Sequence, residues 1–532
     1  MKCANILLKI FCLSQHFLFI GFLIIKDEYK LTDYKSLNFK VNRRKYKIKP
    51  VINFKFPLLK YQIILYKCKI TYKDFEGANI HNKVFLSFQD KNGYGFLKAI
   101  KFNFLLGEKT KDYFGPIKII SETNTSIYAR RATNNRIYVT VRLYNKTDEF
   151  KEKIKILFAR ILSYILFYKK IVLMYEKESL KYEESASVLY ERLIDLDYKN
   201  IYYVIDKNSP HVSNIKKKYK KNIIYKSTFK HYLYFFLADT FIGSETISHS
   251  IDLRVANRFI FKKIVEKKYQ LVFLQHGVTY MISLASDYRK SFRKGQSMPE
   301  NTKIIVSSEL ESRHFIEHGN YNKEDLYITG MPKFDRNIKY KNADKIIVMP
   351  TWRPWEYNEI RTNFKNTGYY KMLISILNSI PDNLKEKLIV LPHPLFMEAI
   401  KDSDFPIEVP LYKSYDELLR EADLLITDYS SIAFDAFYRG SKVIFWWQDI
   451  EECMNNYGGY LMLNEKNRFG DICYNSEQLR SVIYKNYKRK QNLEYVKNYR
   501  KIVEFNDNKN TDRLIKMLDE DNIIKKRYNS NK

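Results

Sequence analysis

From Lys170 onward the chain alternates between short apolar runs and polar segments of helical period, a pattern that calls for parallel strands covered by helices. The first set of runs is IVLMY (171–175), IYYVID (201–206), NIIY (222–225), TFIG (240–243), LVFLQ (271–275) and KIIVSS (303–308). A second set, KIIVMP (345–350), KLIVLP (387–392), LLITD (424–428) and KVIFWW (442–447), follows the linker-like GMPKFDRNIKYKNAD. Between strands lie stretches such as YEESASVLYERLIDLD, where Ala186, Leu189, Leu193 and Ile194 share one helical face. Two doubly wound halves joined near residues 335–344 imply a cleft between them.

The region upstream has a different texture. From about Tyr34 to Asn145, alternating stretches rich in Tyr, Phe, Val, Ile and Thr, such as KVFLSFQD and NRIYVTVRLY, predict an antiparallel β module. The expected domains are therefore 1–150 (β-rich), 151–335 (first α/β half) and 336–532 (second α/β half). Ile10 to Ile25 is a mostly apolar run interrupted by Ser14, Gln15 and His16. It is shorter than the roughly 20 residues that span a bilayer, and reads as a buried strand or helix, with a membrane anchor as the alternative. KEKIKILFARILSYILFYKK (151–170) reads equally as a helix lying in a membrane interface or as a domain-linking helix packed on protein.

Lysine and arginine exceed acidic residues by 92 to 60, a formal charge of +32, so a negative partner is expected: nucleic acid, an anionic membrane face or a phosphate-rich substrate. Basic runs such as KKKYKK (216–221) suit a lipid surface or a polyanionic product, or are a solvated helix face. Five scattered cysteines, Cys3, Cys12, Cys68, Cys453 and Cys473, form neither a zinc pattern nor a disulfide frame and favour a reducing compartment.

In open parallel sheets ligands bind beyond the carboxyl ends of the strands. There the first half offers Gln275-His276-Gly277 and Ser307-Ser308-Glu309. The second offers Pro350-Thr351-Trp352-Arg353, Pro392-His393-Pro394 and Asp428-Tyr429-Ser430-Ser431. Ser430 or Ser431 can start a helix running to Arg439, with Ile432, Ala433, Ala436 and Phe437 buried and Gly440 stopping it. Its first turn is either an anion cradle for a phosphate or a plain cap. His276 is suited to act as a general base near neutrality, and His393, between two prolines, to position a ring nitrogen at a phosphate oxygen; each also reads as a structural histidine. These polar groups gather at strand ends and not in aromatic and basic stripes, which argues against nucleic acid.

The ordered set LQHG, SSELESRHF, ITGMPKFDR, MPTWRPW, LPHP and LLITDYSSIAFDAFYRGSKVIFW resembles the CDP-glycerol glycerophosphotransferase family of teichoic-acid and capsule polymerases. The upstream ESASVLYERLIDLDYKNIYYVIDK and FIGSETISH share the likeness, which covers about residues 165–520. The resemblance implies an α/β, GT-B-like pair of Rossmann domains beside the N-terminal antiparallel β domain. It implies transfer of a polyol phosphate from CDP-glycerol or CDP-ribitol to a hydroxyl of a lipid-linked polyol-phosphate or glycan acceptor, releasing CMP, at the cytoplasmic face of the membrane. No nucleic-acid partner is expected, and with no carboxylate-rich magnesium motif the sequence calls for no metal or cofactor. On this likeness His276 is the base and His393 joins it in catalysis, holding the donor diphosphate with Ser430 and Ser431. Thr351 and Arg353 are donor contacts, and Asp428, Gly277, Glu309 and Lys333 are supporting residues at the cleft. The chain departs from the family in carrying Val278-Thr279-Tyr280-Met281 where many members have Thr-Pro-Leu-Lys, and Lys333 in place of a usual arginine. The first change alters the acceptor side; the second replaces a planar fork with a point charge. Two other classes fit the residues less fully: a GT-B glycosyltransferase using a nucleotide sugar, and a non-enzymatic basic surface-binding protein.

Overall fold

The computed structural model of the protein describes residues 3–26, 37–41, 44–56, 61–72, 75, 80–89, 95–99, 114–131, 137–253, 255–336, 339–356, 359–360, 363–393, 396–397 and 415–526. The chain forms two compact units, Met1–Ile165 with Asp252–Glu266, and Leu166–Ile251 with Lys267–Lys532.

The first unit is an antiparallel sheet. Its strands are β1 (Cys3–Cys12), β2 (His16–Lys26), β3 (Asn38–Val41), β4 (Arg44–Phe56), β5 (Tyr61–Thr71), β6 (Ile80–Gln89), β7 (Gly95–Ala99), β8 (Phe114–Ile120), β9 (Thr125–Arg131) and β10 (Ile137–Leu143). They run in the order β1-β2-β5-β4-β3-β6-β10-β9-β8, with β7 on β6. The apolar run of residues 10–25 is the β1–β2 hairpin: Ser14 and Gln15 lie in its turn, and Phe17, Phe19 and Leu23 alternate into the core. Among the described residues no helix is long and apolar enough to cross a membrane. Helix α1 (Phe150–Ile165) closes this stretch of the unit. It buries Glu152, Ile156, Ala159 and Ser163, one residue per turn on a single face.

The second unit is mixed α/β and contains two parallel sheets. One comprises β11 (Ile171–Tyr175), β12 (Ile201–Ile205), β13 (Ile223–Tyr225), β14 (Ala238–Gly243), β15 (Gln270–Phe273), β16 (Thr302–Val306) and β17 (Leu326–Ile328), in the order β13-β12-β11-β14-β15-β16-β17. The other comprises β18 (Lys345–Val348), β19 (Leu388–Val390), β20 (Ala422–Thr427), β21 (Lys442–Trp446) and β22 (Asp471–Cys473), in the order β19-β18-β20-β21-β22. Every one of the ten apolar runs becomes a strand. β17 and β22 are additional, three residues each and at sheet edges. The central strands are buried along their whole length, as strands covered on both faces must be.

Helix α2 (Ser185–Asp195) packs Ala186, Leu189 and Leu193 inward. In each sheet the chain reverses direction once across the strand order, between β11 and β14 in the first and between β18 and β20 in the second. Loops leaving such a pair diverge to opposite faces and open a crevice at the carboxyl ends. The basic run of residues 216–221 lies mostly in a short 3₁₀ turn, Lys217–Asn222, with only Tyr219 buried, so it is a solvated surface segment. Cys68, Cys453 and Cys473 are buried free thiols.

Candidate active site

A cavity of about 670 Å³ lies at the carboxyl ends of both parallel sheets. Lys177 and Glu178 line it from beyond β11, His276 from beyond β15, Met349 to Trp352 from beyond β18, His393 from beyond β19, and Ser430 and Ser431 from beyond β20. The two histidines singled out in the sequence therefore share one space. The two sheets also touch there. A Cβ on Gly277 would meet Ser431 Oγ at 2.6 Å, so glycine is what lets the loop after β15 reach the start of helix α4 (Ile432–Tyr438). Helix α3 (Glu309–Gly319) follows β16.

The β20 end explains why a buried strand stops at an acid. Asp428 is fully buried, and its Oδ1 accepts from Thr351 N (2.8 Å), Thr351 Oγ1 (2.6 Å) and Tyr429 N (2.6 Å). Its Oδ2 pairs with Arg353 Nη1 at 2.8 Å. Arg353 also pairs with Asp449 Oδ2 at 2.9 Å, and only 2% of it is exposed. Burial works against its charge, but Asp428 and Asp449 outweigh burial and hold the guanidinium charged. Arg353 does not line the cavity. It ties the β18 loop to the β20 loop and presents Thr351, whose carbonyl oxygen accepts from Arg353 Nη1 at 2.8 Å. Asp428 is likewise a support from beneath and not a cavity wall. Ser430 Oγ accepts from Ile432 N at 3.3 Å. Ser431 occupies the cap position without a side-chain cap bond, and Gly440 ends the segment with φ at +95°.

His393 stacks on Trp352 with ring centres 4.8 Å apart, and its backbone N–H donates to Tyr369 Oη at 2.9 Å. Burial, with Lys177 adding to it, pushes its imidazole down to about 4, so the ring is neutral near pH 7. Pro394 lies outside the described residues.

His276 behaves in the opposite way. About half of its side chain (55%) is open to the cavity, and Nδ1 lies 3.0 Å from Glu184 Oε2. Glu184 raises the imidazole above its ordinary value, against burial and Lys333. Burial alone would raise Glu184, but His276, Lys181 and Lys333 hold its carboxyl far below the usual range. Lys333 Nζ donates to His276 O (2.9 Å) and pairs with Asp435 Oδ1 (2.5 Å), so it bridges the two sheets' loops at the cavity edge. Gln275, just before His276, has φ at +52°, an unusual conformation for its type, and its Nε2 is fixed to Ile305 O (2.6 Å) and Glu311 Oε1 (3.1 Å).

The supporting acid of the SSELES segment is Glu311 and not Glu309. Glu309 is exposed at the first turn of α3 and lines no part of the cavity, whereas Glu311 is fully buried and accepts from Thr279 N (2.7 Å) and Ser307 N (2.6 Å). A helix face reverses within two residues, which separates the exposed Glu309 from the buried Glu311. Also absent from the sequence reading were Glu184, Glu176, Glu245 and His249. Glu184 heads ESASVLY and Glu245 and His249 lie in GSETISH, two stretches that carry the family likeness. Among the described residues no group of three or more His, Cys, Asp or Glu is placed to hold a metal.

The family model described as CDP-Glycerol:Poly(glycerophosphate) glycerophosphotransferase matches residues 157–520. The chain belongs to this family. Relatives of this glycerophosphotransferase family member include the minor teichoic acid biosynthesis protein GgaB of Bacillus subtilis, 28% identical over 70% of this chain and 43% of that protein. The teichoic acid poly(glycerol phosphate) polymerase of Bacillus spizizenii is 30% identical over 36% of this chain and 50% of that protein. The chain thus spans half or less of the length of these curated relatives. Among solved structures, the wall teichoic acid polymerase TagF shares the fold, with a TM-score of 0.50 at 17% identity over 70% of this chain and 94% of that one. The glycerophosphotransferase-family departure at Val278 to Met281 falls on buried side chains, so it changes packing beneath the cavity and not its wall.

Replacing Arg353 by Met is expected to lower unfolding stability by about 3–5 kcal/mol, because two acids lose their buried partner. Arg353→Lys should lose less. An unchanged urea midpoint for the Met variant would show that the pair does not organise the loops.

Proposed function

We propose that the protein transfers a polyol phosphate, most simply glycerol phosphate, from a CDP-activated donor to a hydroxyl of a lipid-linked or polymer acceptor. The observation that carries this reading is the convergence of His276 and His393, from two different sheets, on one cavity at the strand-order reversals. The two strand orders suit a pair of Rossmann-type lobes in a GT-B-like arrangement, with the sheet β11–β17 on the acceptor side and the sheet β18–β22 on the CDP-donor side.

In this scheme His276 takes the proton of the acceptor hydroxyl as its oxygen attacks the phosphorus that carries the polyol. The bond from that phosphorus to the bridging oxygen breaks, and CMP leaves with the electron pair. His393, neutral and braced on Trp352, donates a hydrogen bond to the diphosphate, with Thr351, Ser430 and Ser431 beside it. Such displacements rest mainly on positioning and charge stabilisation, and the donor, CDP-glycerol or CDP-ribitol, is the sole cosubstrate the scheme needs.

An inverted helix supports attachment to an anionic lipid face. Helix α1 exposes Phe150 (79%), Ile154, Leu157, Phe158 (60%), Ile161, Tyr164 and Ile165, while it turns Glu152 and Ser163 toward protein. An apolar stripe facing water, flanked by Lys151 and Lys155, is what an interfacial helix presents to lipid. We place the protein at the cytoplasmic side of the membrane, where a lipid-linked acceptor is at hand.

Purified protein given CDP-glycerol, CDP-ribitol and UDP-sugars with polyol-phosphate acceptors should release CMP, and His276→Ala should cut that release by about 10²- to 10⁴-fold. Release of UDP from a sugar donor instead would overturn the choice of substrate. In flotation with vesicles containing phosphatidylglycerol, Phe158→Glu with Ile161→Glu should abolish binding that the unaltered protein shows. Equal flotation of both would remove α1 from the contact.

A further inference from the structure

Two acids that the scheme above does not use form a chain leading to His276: Glu184 lines the cavity and Glu176 lies beneath it. Glu176 follows β11 and is fully buried. Its Oε1 accepts from the backbone N–H groups of Glu184 and Ser187, each at 3.0 Å, and its Oε2 accepts from that of Glu183 at 3.0 Å. These donors lie at the start of α2, where the helix has no partners of its own for them. Glu184 holds the cap position of α2 but makes no side-chain cap bond. Capping is supplied from outside by Glu176, so the Glu184 carboxylate is free to reach His276 Nδ1 at 3.0 Å.

We infer that Glu184 is a positioning residue that keeps the His276 proton on Nδ1 and leaves Nε2 toward the cavity, and that Glu176 in turn fixes Glu184. The inference rests on the proposed role of His276 as base. An imidazole whose Nδ1–H is held by a carboxylate has one defined tautomer and orientation, and its remaining nitrogen is the one able to accept a proton. Among the described residues, charged and titratable groups face His276 from three elements. Glu184 comes from the α2 start, Lys333 from the turn of residues 332–336, and Glu245 and His249 from beyond β14. Glu184 and Glu245 favour the imidazolium; Lys333 opposes it. The Glu176 carboxyl is pushed up to about 7 by burial and by the negative charge of Glu184, which fits a buried group bonded to backbone and not to a cation.

The test uses full-length protein with Glu184→Gln, Glu184→Asp and Glu176→Gln. A base must be unprotonated to act, and Glu184 holds His276 above its ordinary value, so the acidic limb of the rate lies high in the unaltered protein. Glu184→Gln should move that limb down by about 1 pH unit and lower the plateau of kcat/KM by about 10- to 100-fold, through kcat and not the donor KM. Glu184→Asp should keep the limb near its original place. Glu176→Gln should reduce the rate alone but add little in the Glu184→Gln background, as expected of a residue acting through another. A second readout needs no turnover: the pH dependence of carbethoxylation of His276 by diethyl pyrocarbonate, followed by mass spectrometry, should shift down with Glu184→Gln. If both the rate limb and the carbethoxylation midpoint stay in place, Glu184 does not position His276 and the inference fails. If Glu176→Gln and Glu184→Gln act additively, the Glu176 link fails. Absence of CMP release from CDP-glycerol by the unaltered protein would strike at the donor assignment instead, while the carbethoxylation shift would still decide the role of Glu184.

Discussion

The Asp428 carboxylate, sealed from water, accepts from two backbone N–H groups and one hydroxyl and is ion-paired with one guanidinium, and the loops after β18 and β20 keep their course because of it. A buried carboxylate left without such partners would cost several kcal/mol, so the loops and the acid hold each other in place. The first sheet repeats the device. Glu176 gathers the backbone at the start of α2, and Glu311 gathers Thr279, Ser307 and Gln275 under the His276 loop. Cavity walls made of irregular loops become rigid because their amide groups are satisfied from below by buried carboxyl groups held in place.

On that frame the two imidazoles are driven apart in acidity. His276 lies beside Glu184 and is raised; His393 lies under Trp352, partly buried and near Lys177, and is lowered to about 4. The carboxylate beside one ring favours its charged form, and burial of the other favours its neutral form. Divergent environments for like groups are how a site separates a base from an electrostatic support. Lys333, which stands where an arginine is usual in the family, is committed at 2.5 Å to Asp435 and at 2.9 Å to the His276 carbonyl oxygen. A single rotatable ammonium suffices for that bridging task, which needs no planar fork.

Much of this was legible in the residues because burial on both faces writes a strand as an unbroken apolar run. All ten runs after Lys170 became strands, and the strand-end rule brought His276, His393, Thr351, Ser430 and Ser431 to one cavity. What escaped was short or depended on partners far away in sequence. β17 and β22 have three residues each, too few to show a period. Arg353 reads as a donor contact until Asp449, almost a hundred residues on, is seen beside it. Glu184 reads as one more acid before a helix, because nothing local says that Glu176 has taken over its capping duty. The apolar content of residues 151–170 was plain, but not that the helix would turn it outward.

That two sheets build one diphosphate site is tested most directly by binding, without chemistry. Calorimetric titration of CDP into the unaltered protein and into His393→Gln should give binding to the former and a loss of roughly tenfold or more in the latter, since a hydrogen bond to a charged group is removed. Equal affinity for CDP in the two proteins, or none in either, would contradict the site.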